Sequence, residues 1–215
     1  MKRAVRVVPA ILTDDSQELT RLVSLANRFA PFVQVDIMDG VFVPTHSIGA
    51  ADLRMQDICF EWEAHLMVSD PVAYLASFRD AGAKRVVFHV ESPVDAREVI
   101  AKARALDLGV GLALNPPTSV ARIGGLLPLV DSVLLMTVYP GYYGAPFVPE
   151  SMTKVEEVRA IRADVEIGVD GGIKAMNVAD VARQGVDVVC VGSAVFSSPD
   201  PEVSYAHLVS LVQEQ

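Results

Sequence analysis

Gln34, Asp36 and Met38 stand at a spacing of two in the segment FVQVDIM. In an extended segment the three point to one side, while Val33, Val35 and Ile37 point to the other. His65 and Met67 repeat that relation in CFEWEAHLMV, Met136 lies near the end of SVLLMTV, and Asp170 closes VEIGVD. A carboxylate aimed into a packed interior is costly unless it is paired, protonated or bound to a cation. Singly, Asp36 or Asp170 reads as a solvated acid and His65 as a hydrogen-bonded core histidine. Together, two acids with a histidine and a glutamine make a set suited to metal binding or acid–base chemistry.

Glycine supplies the second constellation. VDGGI (169–173) and VGSA (191–194) close two of the apolar runs, and YPGYYGAPF (139–147) follows the run before them. Backbone N–H groups of glycine can approach an anion with no Cβ in the way. Any one glycine pair also serves an ordinary turn, so their placement at consecutive strand ends carries the weight.

The elements that must position these residues are short β-branched runs, recurring at 5–12, 32–38, 59–68, 85–90, 109–114, 132–138, 165–170 and 187–192. Each has the length of a strand. Helix-length stretches separate most of them: 15–30, 70–83, 93–109 and 149–164, opening on Asp or Pro and closing near Gly or a basic residue. Strands alternating with helices must run parallel, and eight such units close most economically into a single-domain (β/α)8 TIM barrel over 1–215. An open doubly wound sheet is the alternative. In a barrel, the chemistry sits at the face where the strands end, and the loops after strands seven and eight commonly hold a phosphate.

Composition limits the partners. With 18 Lys+Arg against 27 Asp+Glu the formal charge is −9. That balance, with no basic stripe, argues against nucleic acid and against an anionic membrane surface. The 51% hydrophobic content is that of a folded chain with a large core. No apolar run is long enough to span a membrane, and the N-terminal stretch, broken by Arg6 and Pro9, resembles no signal peptide. Cys59 and Cys190 both sit inside apolar runs, where they are expected as small buried hydrophobes, not a disulfide. A reducing, cytoplasmic setting is expected.

The stretches VDIMDGVFVP (35–44), HLMVSDP (65–71), VFHVES (87–92), GLALNPPT (111–118), LLMTVYPGYYGAPF (134–147), VDGGI and VGSAVF (191–196) closely resemble the ribulose-phosphate 3-epimerase family, from Pro9 to about Phe196. The resemblance implies a (β/α)8 isomerase that inverts C3 of D-ribulose 5-phosphate to give D-xylulose 5-phosphate. It implies Asp36 and Asp170 as the two acid–base groups, and a divalent metal ion (Zn, Mn, Mg or Fe) on Gln34, Asp36, His65 and Asp170. Met38, Met67 and Met136 would line the reaction centre. Gly141, Gly144, Gly171, Gly172, Gly192 and Ser193 would hold the phosphate. Barrels of this kind often associate through apolar patches, so a homo-oligomer is expected.

The chain departs from the family pattern at its active face. Gln34 replaces a metal-ligand histidine, Ala10 a serine, and Thr45 and Tyr139 replace asparagines. An amide oxygen in place of imidazole should weaken zinc binding and tilt preference toward Mg or Mn. Of the other histidines, His46 is expected on the rim, His89 as structural or packed beside the site, and His207 on the surface. Two other functions compete. One is a 3-epimerase for a six-carbon ketose 6-phosphate, its pocket reshaped by Tyr139, Tyr142 and Tyr143; the other is a non-catalytic phosphate-binding barrel. Orotidine-type decarboxylases would need a Lys beside an Asp at the strand ends, and no such pair occurs.

Overall fold

The computed structural model describes residues 4–141 and 145–213. Eight parallel strands close on themselves in sequence order: β1 (Arg6–Ile11), β2 (Phe32–Met38), β3 (Glu61–Met67), β4 (Arg85–His89), β5 (Gly109–Leu114), β6 (Ser132–Met136), β7 (Glu166–Asp170) and β8 (Val188–Val191). Around them lie α1 (Ser16–Ala26), α2 (Ala50–Arg54), α3 (Val72–Asp80), α4 (Ala96–Ala105), α5 (Lys154–Ile161), α6 (Val178–Arg183), α7 (Ser193–Phe196) and α8 (Pro201–Gln213). This is a (β/α)8 TIM barrel, and all eight expected strands form within a few residues of the expected ends.

Residue parity divides the interior into two layers. Val33, Val35 and Ile37 of β2 join the large outer core under the helices. Val8, Ala10, Val87, Ala113, Leu134, Met136, Val188 and Cys190 belong to a separate cluster inside the barrel. The helices complete the outer layer by ordinary amphipathic spacing. In α1, Leu19, Leu22, Val23 and Ala26 are the buried residues, at i, i+3, i+4 and i+7. Asp15 caps that helix by accepting from the backbone N–H groups of Gln17 and Glu18, a contribution of about 1 kcal/mol.

Two connections differ from expectation. The stretch 149–164 opens as a 3-10 turn at Pro149–Thr153 before α5 begins. Between β5 and β6 the chain makes only two short 3-10 turns, Val120–Arg122 and Leu127–Leu129. Cys190 is buried as expected, but Cys59 is exposed. The reason is local: β3 starts only at Glu61, leaving Cys59 in the preceding loop, where its N–H donates to Asn27 Oδ1.

The N-terminal end of the barrel is plugged by charge. Buried Glu63 accepts from Arg85, whose guanidinium also donates to Glu166 at 2.7 Å, and Glu166 in turn pairs with Arg6. Removing either member of the buried Glu63–Arg85 pair strands the other, at a cost of about 3–5 kcal/mol.

Candidate active site

Strand register brings the predicted residues to one level. Asp36 pairs across the sheet with His65, Met38 with Met67, Met136 with Asp170, and Asp170 with Cys190. Asp36 and Asp170 thus reach one point from β2 and β7. The strand-seven end is held by Thr137, whose N–H and hydroxyl both donate to the Asp170 carbonyl oxygen, at 2.7 and 2.9 Å.

The cluster is dense and buried. Gln34 Nε2 donates to Asp36 Oδ1 at 3.0 Å and to Asp170 Oδ2 at 2.8 Å. His65 Nδ1 lies 2.9 Å from Asp36 Oδ1 and 3.6 Å from Asp170 Oδ2. Behind Gln34, the Cys190 thiol donates to Oε1 at 3.2 Å. That contact sets the amide: its oxygen has a donor on the barrel side, so both N–H bonds are left for the two carboxylates. Burial holds the Cys190 thiol protonated by pushing its pKa up.

Burial, reinforced by the Asp36 charge, pushes Asp170 up to about 7. For His65, burial works against the charged ring, but the hydrogen bond and charge of Asp36 outweigh it and raise its pKa. One ligand atom from each of Asp36, His65 and Asp170 falls within 4.8 Å of the others. Two hard carboxylate oxygens and an imidazole nitrogen around one point fit a divalent cation. Gln34 is in place beside them, although ligation through Oε1 requires a half-turn of its amide away from Cys190.

His89 and Glu91 extend this cluster. His65 Nε2 meets His89 Nε2 at 3.0 Å, the rings stack with centroids 5.1 Å apart, and both residues are fully buried. His89 Nδ1 lies 3.3 Å from Glu91 Oε2, and Glu91 Oε1 accepts the Asn115 N–H at 2.9 Å. Burial keeps His89 neutral, down at about 4. In Glu91, burial is overcome by its hydrogen bonds to His89, Thr118 and Asn115, which hold the carboxyl down at about 2. His89 packs beside the site, as the sequence led one to expect, whereas Glu91 was overlooked. The available signal was the spacing of two in HVE, which sends both side chains the same way.

A pocket opens over the acids. Asp36, Asp170, Met38, Met67 and Met136 line it, with Gly141, Gly171, Gly172, Gly192 and Ser193 on its wall. Gly172 has φ +68, where a side chain is strained, and a Cβ there would also crowd Phe147, standing 3.0 Å from its Cβ and 3.1 Å from its Cα. Gly144, Tyr142 and Tyr143 lie outside the described residues. Tyr139 is exposed and absent from the lining, while Ala10 is part of it. Gln34 and His65 lie below the pocket, fully buried. His46 and His207 are exposed, as expected.

The loop after β2 forms the rim. Asp39 accepts from the N–H groups of Val41 and Phe42 and from both the N–H and hydroxyl of Ser69, tying the loops after β2 and β3 together. Thr45 donates to the Gly141 carbonyl at 3.0 Å, joining that loop to the one after β6.

The model of the ribulose-phosphate 3 epimerase family matches residues 6–196. The ribulose-phosphate 3-epimerase of Treponema pallidum is 37% identical over 204 residues, covering 92% of this chain and 94% of that protein. That of Schizosaccharomyces pombe is 35% identical, covering 92% and 89%. Among solved structures, 3-hexulose-6-phosphate synthase from Salmonella typhimurium superposes with a TM-score of 0.72 at 18% identity, over 98% of this chain and 99% of that one, a likeness of fold. On the family match and these identities, the protein is an enzyme belonging to the ribulose-phosphate 3-epimerase family.

Proposed function

We propose that the enzyme inverts C3 of D-ribulose 5-phosphate to give D-xylulose 5-phosphate, with Asp36 and Asp170 as the two acid–base groups. The observation that carries this is the pair itself: two buried carboxylates from β2 and β7, with ligand atoms within 4.8 Å, below one pocket lined by three methionines. Inversion of a carbon next to a ketone needs proton removal on one face and delivery on the other. One ionised aspartate abstracts the C3 proton, leaving an enediolate, and the other, protonated, donates to the opposite face. The raised Asp170 suits it to hold a proton near neutral pH, so this pair can keep one acid and one base together.

Gln34 orients both carboxylates through its two N–H bonds. Met38, Met67 and Met136 pack the reacting plane and exclude water without offering a competing proton. Gly171, Gly172, Gly192 and Ser193 hold the phosphate through backbone N–H groups and a hydroxyl. Asp36, His65 and Asp170 would hold a divalent cation, which when bound supplies electrostatic stabilisation of the negative charge on the substrate oxygens. With Gln34 in the fourth place, Mg or Mn is preferred over Zn and binding is weakened.

Ribulose 5-phosphate incubated in D2O with the enzyme, with and without added Mg, Mn or Zn, should acquire deuterium at C3 and yield xylulose 5-phosphate. Absence of both exchange and product under every metal condition would overturn the assignment.

A further inference from the structure

Along His65–His89–Glu91, a neutral His89 beside an acceptor-only carboxylate fixes which of the facing nitrogens carries a proton. Glu91 is a carboxylate and can only accept, so the proton between it and His89 sits on His89 Nδ1. A neutral His89 then carries a lone pair on Nε2. That nitrogen faces His65 Nε2 at 3.0 Å, and two lone pairs cannot face each other at that distance, so His65 Nε2 carries a proton. The nitrogen of His65 that can be stripped of its proton is therefore Nδ1, the one 2.9 Å from Asp36.

We infer that Glu91, acting through His89, selects the tautomer of His65 and so presents Nδ1 as the metal-ligating nitrogen. Glu91 and His89 are positioning residues: they touch neither the pocket nor the substrate, and their effect is to fix which face of the His65 ring is a donor and which a ligand. Such outer partners orient ligating histidines in metal sites generally. The consequence for metal binding rests on the site proposed above; the tautomer order does not.

Glu91→Gln tests this with almost no change in shape. Glu91 Oε1 accepts a backbone N–H from Asn115, and a backbone N–H can never accept. The amide introduced by the substitution must therefore turn its oxygen to Asn115 and its NH2 to His89 Nδ1. That demands a lone pair on Nδ1 and moves the His89 proton to Nε2, which in turn forces the His65 proton onto Nδ1. The isosteric change reverses the direction of both hydrogen bonds, His89 to Glu91 and His65 to His89.

Nitrogen-15 NMR of histidine-labelled protein without metal reads this directly. The wild-type chain should show His89 protonated on Nδ1 with a bare Nε2, and His65 protonated on Nε2 as well as on the Nδ1 that faces Asp36; Glu91→Gln should show His89 protonated on Nε2 and His65 bare at Nε2. Mn binding followed by electron paramagnetic resonance should weaken about 10–100-fold in the variant. A wild-type His89 protonated on Nε2 overturns the inference, and needs no variant to be seen. So do unchanged tautomers in Glu91→Gln, or a Mn affinity within twofold of wild type. If the tautomers reverse and Mn weakens while the wild-type enzyme exchanges no C3 hydrogen, the relay stands and the epimerase assignment falls.

Discussion

Gln34 and Asp170, 136 residues apart in the chain, meet across the barrel with the amide nitrogen 2.8 Å from the carboxylate. The same nitrogen holds Asp36, so a neutral amide bridges the two acids from below, and its orientation is dictated by Cys190 on β8. An amide donor between two buried carboxylates relieves part of their repulsion without carrying charge.

Gln34→His restores an imidazole beside the acids. Imidazole is a stronger ligand than an amide for zinc-like ions, so the variant should bind Zn at least about 10-fold more tightly and retain it through dialysis. Elemental analysis after dialysis against a mild chelator measures this. Equal metal content in the two proteins would mean that Gln34 is not what sets the affinity.

Asp36→Asn and Asp170→Asn each remove one proton carrier while keeping the hydrogen bond from Gln34. Each should lower epimerisation by about 10²–10⁴-fold, the scale of a positioned acid or base. Loss of one base should also separate exchange from inversion, because the remaining carboxylate can still reach one face. Comparing C3 deuterium incorporation in each of the two epimers reads out which face each aspartate serves. Near wild-type turnover in either variant would remove that residue from the mechanism.

Asp170 also makes stability depend on pH. Its folded pKa, about 7, lies above the ordinary 3.8, so the folded chain binds more protons than the unfolded one between those values. The contribution is complete below about pH 4 and is lost as pH rises through 7. His65, also raised, acts in the same direction. Asp39 and Glu91, both lowered to about 2, act in the opposite direction, but in a window below their ordinary values of 3.8 and 4.5. Asp170→Asn should therefore gain stability relative to wild type as pH rises from 5 to 8, by about 2–3 kcal/mol. Urea unfolding at both pH values checks this, and parallel shifts at the two would refute it.

Gly172→Ala places a Cβ against Phe147 at a residue with φ +68. The strain should cost about 1–3 kcal/mol of stability and raise KM for the phosphorylated substrate more than it lowers kcat. Thermal unfolding and steady-state kinetics measure the two effects. An unchanged KM would separate this glycine from phosphate binding.

The strands were legible because parity and β-branched content are local properties. Val33, Val35 and Ile37 against Gln34, Asp36 and Met38 distinguish an outer face from an inner one by residue type alone. Cys59 misled because an apolar run shows neither where a strand begins nor which loop precedes it. His89 was expected beside the site, but its contact through a ring nitrogen 3.0 Å from His65 is a relation between neighbouring strands that the sequence does not show.

By itself, the amino-acid order determined the βαβα alternation, the inward-facing residue types and the glycines at the strand ends, since each follows from the two-residue period of a strand or from backbone freedom. The barrel was also expected from that alternation, but the distances at which closure sets Asp170 and Asp36 around one point came only with the folded chain. So did the direction of the Gln34 amide and the proton order along His65, His89 and Glu91. Those depend on which donor faces which acceptor at about 3 Å, and that is set by packing between strands far apart in the sequence.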